Sequence, residues 1–239
     1  MSGVSRLGGS FQACLERTAR EHGADLFGVA DLTPVIDFIC RQGGEGLREF
    51  PRAISIGIRL TDAVVNELHR HDDPAAILPY EIEYFSVNSR LDNAAALLTK
   101  TIQEEGYLAY AIPASQTIDS ALLTGLISHK LVANLAGLGW IGKNCLLITG
   151  EYGPRVRLSS VLTDAPLTTG ARMGMGCDDC DACVRTCPVM AFTGAPFNSL
   201  EPREVRFNAH LCSSYMKKRT GRLGEEGLCG LCLYVCPHR

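Results

Sequence analysis

The sequence predicts an α/β core over residues 1–170 followed by a loop-rich second domain over 171–239. Three observations predict this division. Helical and strand periodicities alternate through the first part. The composition changes at 168–176, a run of threonine, glycine and methionine. Eight of the 11 cysteines lie beyond that change.

The elements follow in order. Ser10 is placed to cap a helix over 11–22, which Gly23 ends. Residues 25–30 predict a short strand. A helix over 34–41 is broken by Gly43 and Gly44. Ile54, Ile56, Ile58 and Leu60 alternate with Ser55, Gly57 and Arg59, the period of a strand over 53–60. Leu91, Ala94, Leu98 and Ile102 share one helical face, which predicts a helix over 91–105 with Gly106 as its stop. A strand over 107–112 closes at Pro113. A helix over 127–135 leads into a glycine-rich loop, and two further strands follow near 145–149 and 155–163.

Residues are 46% hydrophobic and 21% charged, with a net charge of -3. That is the composition of a globular protein, without the basic excess of a nucleic-acid binder. The first residues lack the apolar stretch of a signal peptide, and no apolar run reaches the ~18 residues of a membrane span. A cytoplasmic protein with no membrane partner is expected. In a reducing compartment, 11 cysteines point to metal ligation over disulfides.

Cys177, Cys180, Cys183 and Cys187, followed by Pro188, reproduce the C-x2-C-x2-C-x3-C-P run of bacterial ferredoxins. Three thiolates two residues apart reach three irons of one small cube, and the fourth reaches a second cube. A second set consists of Cys212, then Cys229, Cys232 and Cys236 before Pro237. By the two-cluster pattern, Cys177, Cys180, Cys183 and Cys236 share one [4Fe–4S] cluster, and Cys187, Cys212, Cys229 and Cys232 share the other. Two zinc sites are the rival, but zinc gives no reason for the third closely spaced cysteine or the two Cys-Pro endings. Cys14, Cys40 and Cys145 remain, and are expected to be small buried hydrophobes.

Gly137, Gly139 and Gly142 satisfy G-x-G-x-x-G, yet a helix precedes them and a strand follows, the reverse of a dinucleotide fingerprint. The glycines permit either close approach to a cofactor or a tight helix-to-strand turn. Trp140, Lys143 and Asn144 accompany them. His129, one helix upstream, and the basic group Lys217, Lys218, Arg219 and Arg222 have surface or structural roles as their plainer reading.

Residues 136–144, then Glu151, Tyr152 and Gly153, then Leu162, Thr163 and Asp164, and then the double cysteine run resemble epoxyqueuosine reductases, tRNA-modifying relatives of the reductive dehalogenases. Residues 210–215 look like that family's stretch around the lone cysteine. The resemblance implies a nitroreductase-like mixed core that holds cobalamin, and a ferredoxin-like double-cluster module that feeds it electrons. On that reading Gly137, Gly139, Trp140, Gly142 and Lys143 lie at the cofactor or substrate. The chain stops at Arg239 where the family continues into a helical extension, so it reads as a short member with weak tRNA binding. The family's proton-donor stretch is not recognisable, with Asp119 displaced from its place, and no catalytic residue is assigned.

The expected function is an iron–sulfur oxidoreductase passing electrons through two [4Fe–4S] clusters to a cobalamin, for reduction of a small organic substrate. The alternative is an electron-transfer protein that activates a corrinoid partner without its own corrin, and a flavin in the core is a third possibility. An electron donor such as ferredoxin or flavodoxin is implied.

Overall fold

The computed structural model describes residues 4–199, 201–220 and 227–238. The helices and strands run in the order α1 (Val4–Glu21), β1 (Leu26–Asp31), α2 (Ile36–Gly43), β2 (Arg52–Arg59), α3 (Asp62–Asn66), α4 (Pro74–Glu104), β3 (Ala109–Ile112), α5 (His129–Leu135), β4 (Trp140–Ile141), β5 (Leu147–Ile148), β6 (Val156–Thr163), α6 (Ala182–Thr186), α7 (Ala209–Thr220) and α8 (Leu231–Tyr234). No helix among the described residues is long and apolar enough to cross a membrane.

The chain forms two compact units that interleave along the sequence. The first gathers residues 1–58, 87–139 and 157–173, and the second gathers 59–86, 140–156 and 174–239. The cysteine-rich segment is therefore not a separate appendage. It shares its unit with two segments that the sequence reading placed in the 1–170 core. Composition marks where the cysteines begin, but not which earlier segments pack on them.

The first unit is built on a four-stranded sheet in the order β1-β2-β6-β3. β1 and β2 pair antiparallel, with Leu26 opposite Gly57 and Asp31 opposite Arg52. β3 and β6 also pair antiparallel, from Ala109 opposite Thr163 to Ile112 opposite Ser160. Residues 53–58 are all buried, so β2 is covered on both faces and its alternation is chemical without being amphipathic. α1 and α5 pack on β1. Leu91, Ala94, Leu98 and Ile102 are at most 1% exposed, as their shared helical face predicts.

Two helix starts differ from the sequence reading. α1 begins at Val4, so Ser10 lies inside it and is not a cap. Its end is as expected: Gly23 takes a φ of 89°, and the Ala24 N–H returns to the Ala19 carbonyl. α4 starts at Pro74, well before the predicted 91, and runs through Pro79. Asp73 caps it, its Oδ1 accepting from the Ala75 N–H at 2.9 Å. Residues 74–86 belong to the second unit and 87–104 to the first.

Within the second unit, β4 and β5 form a short antiparallel pair, Trp140 opposite Ile148 and Ile141 opposite Leu147. α8 packs against α6, α3 and the short 3-10 turn Glu67–Arg70.

Candidate metal centre

The eight cysteines sit on loops and short helices of the second unit. The Cys180 N–H closes a turn on the Cys177 carbonyl at 2.8 Å. Asp178 inside that turn takes a φ of 39°, an uncommon conformation for a residue with a side chain. α6 carries Cys183 and ends at Cys187, where Pro188 turns the chain extended. The Cys187 Sγ accepts from the Ala191 N–H at 3.3 Å. Cys212 lies on α7 and Cys232 on α8. Gly230, next to Cys229, takes a φ of 74° to start α8. None of the 11 cysteines forms a disulfide.

Electrostatics sorts the eight into two sets. Burial, then Cys177, Cys236 and Cys180, pushes the Cys183 thiol up to about 11. Burial likewise raises Cys236, whose cysteine neighbours are Cys177 and Cys180. In the other set, burial followed by Cys229 and Cys187 pushes Cys212 up to about 11. Cys232 is raised by burial, then by Cys229 and Cys212, and also by Cys183 and Cys187. The sets are thus Cys177, Cys180, Cys183 and Cys236 on one side and Cys187, Cys212, Cys229 and Cys232 on the other. They adjoin through Cys183 and Cys232. Crowded, desolvated thiols resist ionisation, and only coordination to positive metal makes such a group of thiolates stable. Among the described residues, no three His, Cys, Asp or Glu side chains converge as the ligands of a single ion do. The donor set fits two clusters.

Two supporting segments brace these loops. Lys143 Nζ donates to the Asp178 carbonyl at 2.7 Å and the Cys180 carbonyl at 3.0 Å. Asn144 Nδ2 donates to the Cys232 carbonyl at 3.1 Å. On the other flank, Gly230 faces Leu68 and Tyr80. The buried Glu81 carboxyl is raised above its usual range by desolvation and accepts from the Leu228 N–H. His71 Nε2 and the Tyr215 hydroxyl lie 3.2 Å apart.

The five residues placed at a cofactor on sequence grounds divide between the units. Gly137 and Gly139 belong to the first, and Trp140, Gly142 and Lys143 to the second. Gly137 has a φ of 79°, and a Cβ there would meet the Ala171 carbonyl oxygen at 2.8 Å. The Gly139 carbonyl accepts from Asn134 Nδ2 at 2.8 Å. A Cβ on Gly142 would meet Asn144 Oδ1 at 2.8 Å and Ile148 Cγ1 at 2.9 Å. Gly137 and Gly142 therefore serve internal packing, and Lys143 spends its ammonium on backbone carbonyls of the cysteine loop.

His129 is also accounted for. Its Nε2 donates to the Pro113 carbonyl and its Nδ1 accepts from the Ser160 hydroxyl, both at 2.9 Å. This fixes the Nε2–H tautomer, and burial pushes its pKa down to about 4. The ring ties α5 to the residue after β3 and to the middle of β6. Cys40 and Cys145 are buried as expected, but Cys14 is half-exposed on α1. Lys217 and Lys218 lie on α7, while the side chain of Arg219 and all of Arg222 fall outside the described part. The second unit also holds a polar cleft of about 600 Å³, lined by Arg59, Asp62, Asn66, His69, Arg155 and Tyr234 among others. Sequence reasoning missed its central residue, Arg155.

Residues 176–239 match the 4Fe-4S double cluster binding domain. The chain is 31% identical over 157 residues to the epoxyqueuosine reductase of Listeria monocytogenes serovar 1/2a (strain ATCC BAA-679 / EGD-e), covering 62% of this chain and 39% of that protein. It is 32% identical over 147 residues to the tetrachloroethene reductive dehalogenase of Sulfurospirillum multivorans, covering 59% of this chain and 27% of that protein. Its fold is similar to that of an epoxyqueuosine reductase solved with an epoxyqueuosine-modified tRNA-Tyr stem loop, with a TM-score of 0.58 at 18% identity over 99% of this chain and 66% of that one. The chain thus spans about two fifths or less of the length of these curated relatives. These relatives are named as reductases, and residues 176–239 of this chain match a double-cluster domain.

Proposed function

We propose that this chain is an iron–sulfur oxidoreductase that relays electrons through two [4Fe–4S] clusters to an acceptor. The carrying observation is the sorting of eight cysteines into two adjoining sets of four, each drawn from both sequence runs. Bound there, the two cubanes supply one-electron storage at two linked points. The chain's own part is to hold the thiolates, exclude water from Cys183 and Cys236, and brace the loops through Lys143 and Asn144. A small reduced carrier such as ferredoxin or flavodoxin is the proposed electron donor.

Similarity to the dehalogenases and epoxyqueuosine reductases supports a cobalamin as the acceptor and a small organic molecule as substrate. It also supports the nitroreductase-like description of the first unit. The engagement of Lys143 and Gly142 in internal contacts favours a second reading, in which the electrons leave for a corrinoid on a partner protein. On a net charge of -3 we further propose that tRNA binds weakly.

One experiment separates these readings. Anaerobically reconstituted protein is mixed with cobalamin, passed through gel filtration, and analysed for cobalt and iron together. Cobalt that co-elutes at one per chain supports the chain's own corrin. Cobalt that elutes free, yet is reduced by dithionite-loaded protein faster than by dithionite alone, supports the partner reading. Neither binding nor reduction would refute both. Submicromolar, salt-resistant binding of tRNA would overturn the remaining proposal.

A further inference from the structure

Trp140 Nε1 and Arg155 Nε are buried donors of the second unit with no hydrogen-bond partner among the described residues. Leaving such a donor unpaired costs roughly 1–3 kcal/mol, so native proteins rarely do so without a ligand to receive it. Both donors lie against the segments that carry one particular set of cysteines.

The indole of Trp140 stands between the two ends of that set. A Cβ on Gly176 would be 3.2 Å from both Cε2, the carbon bonded to Nε1, and Cζ2, so the indole packs on the residue before Cys177. On another side the ring meets His238 edge-on, with centroids 5.1 Å apart, two residues after Cys236. A side chain on Gly176 would press on the indole.

Arg155 is 3% exposed. Its Nη1 donates to Asp62 at 2.7 Å and its Nη2 to Asn66 at 2.9 Å, which fixes the guanidinium plane and leaves Nε for something else. It lines the polar cleft together with Tyr234, two residues before Cys236. The other set has a different neighbour. Beside Cys229 stands Glu81, a buried carboxyl whose Oε1 receives no donor.

We propose that Trp140 Nε1–H and Arg155 Nε–H donate to sulfurs of the cluster held by Cys177, Cys180, Cys183 and Cys236, and so set its reduction potential above that of the other cluster. The inference rests on the two-cluster reading. Reduction adds one negative charge to a cubane. Fixed N–H donors and a buried cation stabilise that charge, and a buried carboxyl group beside the other set gives no such help. At equilibrium the electron therefore rests on the cluster next to Trp140 and Arg155, which makes that cluster the exit of the relay.

The test uses the full-length, cluster-loaded chain and a redox titration followed by electron paramagnetic resonance. Iron and sulfide are measured first in wild type; if they are missing there, the two-cluster reading fails and not this inference. Cys236→Ser identifies which signal belongs to the cluster in question. Trp140→Phe keeps the ring and removes the donor, and Arg155→Lys keeps the charge and removes Nε. In each variant the higher potential is expected to fall and the lower one to stay. For Trp140→Phe the expected change is about tenfold in electron distribution, or about 59 mV for one electron. An unchanged higher potential, or an equal shift of both, overturns the proposal. Should either variant lose its clusters, wild type still decides the matter. The chain has a single tryptophan, so 15N-labelled indole must couple magnetically to the reduced higher-potential cluster, and absence of that coupling overturns the proposal.

Discussion

Gly230→Ala tests whether the second flank of the cysteine loops is as tightly built as its contacts imply. Gly230 has a φ of 74°, and forcing a residue with a Cβ into the left-handed region costs roughly 1–2 kcal/mol. The new methyl would stand 2.5 Å from Leu68 Cδ1 and 3.2–3.3 Å from two ring carbons of Tyr80. Leu68 is 0% and Tyr80 6% exposed, so neither can swing into solvent. Overpacking of this kind adds roughly 1–3 kcal/mol. The sum is about 2–5 kcal/mol, which for a chain of this size lowers the melting temperature by roughly 5–20 °C. The assay is an anaerobic thermal melt of the loaded protein, followed by far-ultraviolet circular dichroism and by visible cluster absorbance. Gly174→Ala is the control, since a Cβ there meets nothing within 4 Å, and it should stay within about 0.5 kcal/mol of wild type. Combining Gly230→Ala with Leu68→Ala should give less than the sum of the two losses, because they share one contact. A Gly230→Ala protein that melts within a degree or two of wild type would refute the reasoning.

Other expectations follow from the same geometry. Cys236→Ala should damage the cluster of Cys177, Cys180 and Cys183 and spare the other, because Cys236 lies among the first set; selective loss of the other cluster would show the assignment reversed. Lys143→Ala removes two charge-assisted bonds to the cysteine loop, worth about 1 kcal/mol after solvent screening. Iron release to a chelator should quicken by about fivefold, and an unchanged rate would mean that those bonds are idle. The pKa of His129 falls from 6.5 to about 4 on folding. The unfolded chain therefore binds a proton below pH 6.5 that the folded chain refuses until about pH 4. This stabilising contribution is complete above pH 6.5 and lost as pH falls towards 4. Its size is at most about 3 kcal/mol, reduced by the ring's partial contact with solvent. His129→Gln should flatten that part of the stability profile, and parallel profiles for the two proteins would contradict the assigned tautomer.

Much of the candidate metal centre was legible, because cysteine spacing is dictated by the size of a cube and survives without knowledge of the fold. The face of Leu91, Ala94, Leu98 and Ile102 was legible for a similar reason, since a periodic apolar stripe reports burial directly. The start of α4 was missed although its signal was present: Asp73 and Pro74 are an N-cap and a first-turn proline. Pro79, a residue that disfavours a helix interior, lies inside α4 and obscures that signal. Lys143 and Trp140 were singled out, but their contacts with the cysteine loop were not foreseen. Nothing local in the sequence says that a loop at 140–144 packs on carbonyls and glycine at 176–180, because such pairings between distant segments are set by tertiary packing. Arg155 carried no sequence signal at all; only its burial and its spare Nε reveal it. The division 1–170 and 171–239 followed composition, whereas the compact units follow contacts and draw 59–86 and 140–156 to the cysteines.

The most direct test of the two-cluster account is metal and sulfide analysis of anaerobically prepared full-length protein. Two cubanes should bring iron and acid-labile sulfide each to about eight per chain, and Cys212→Ala should lower both towards about half, since Cys212 belongs to only one set of four. Stoichiometric zinc without sulfide, or iron that never exceeds about four per chain in wild type, would contradict it.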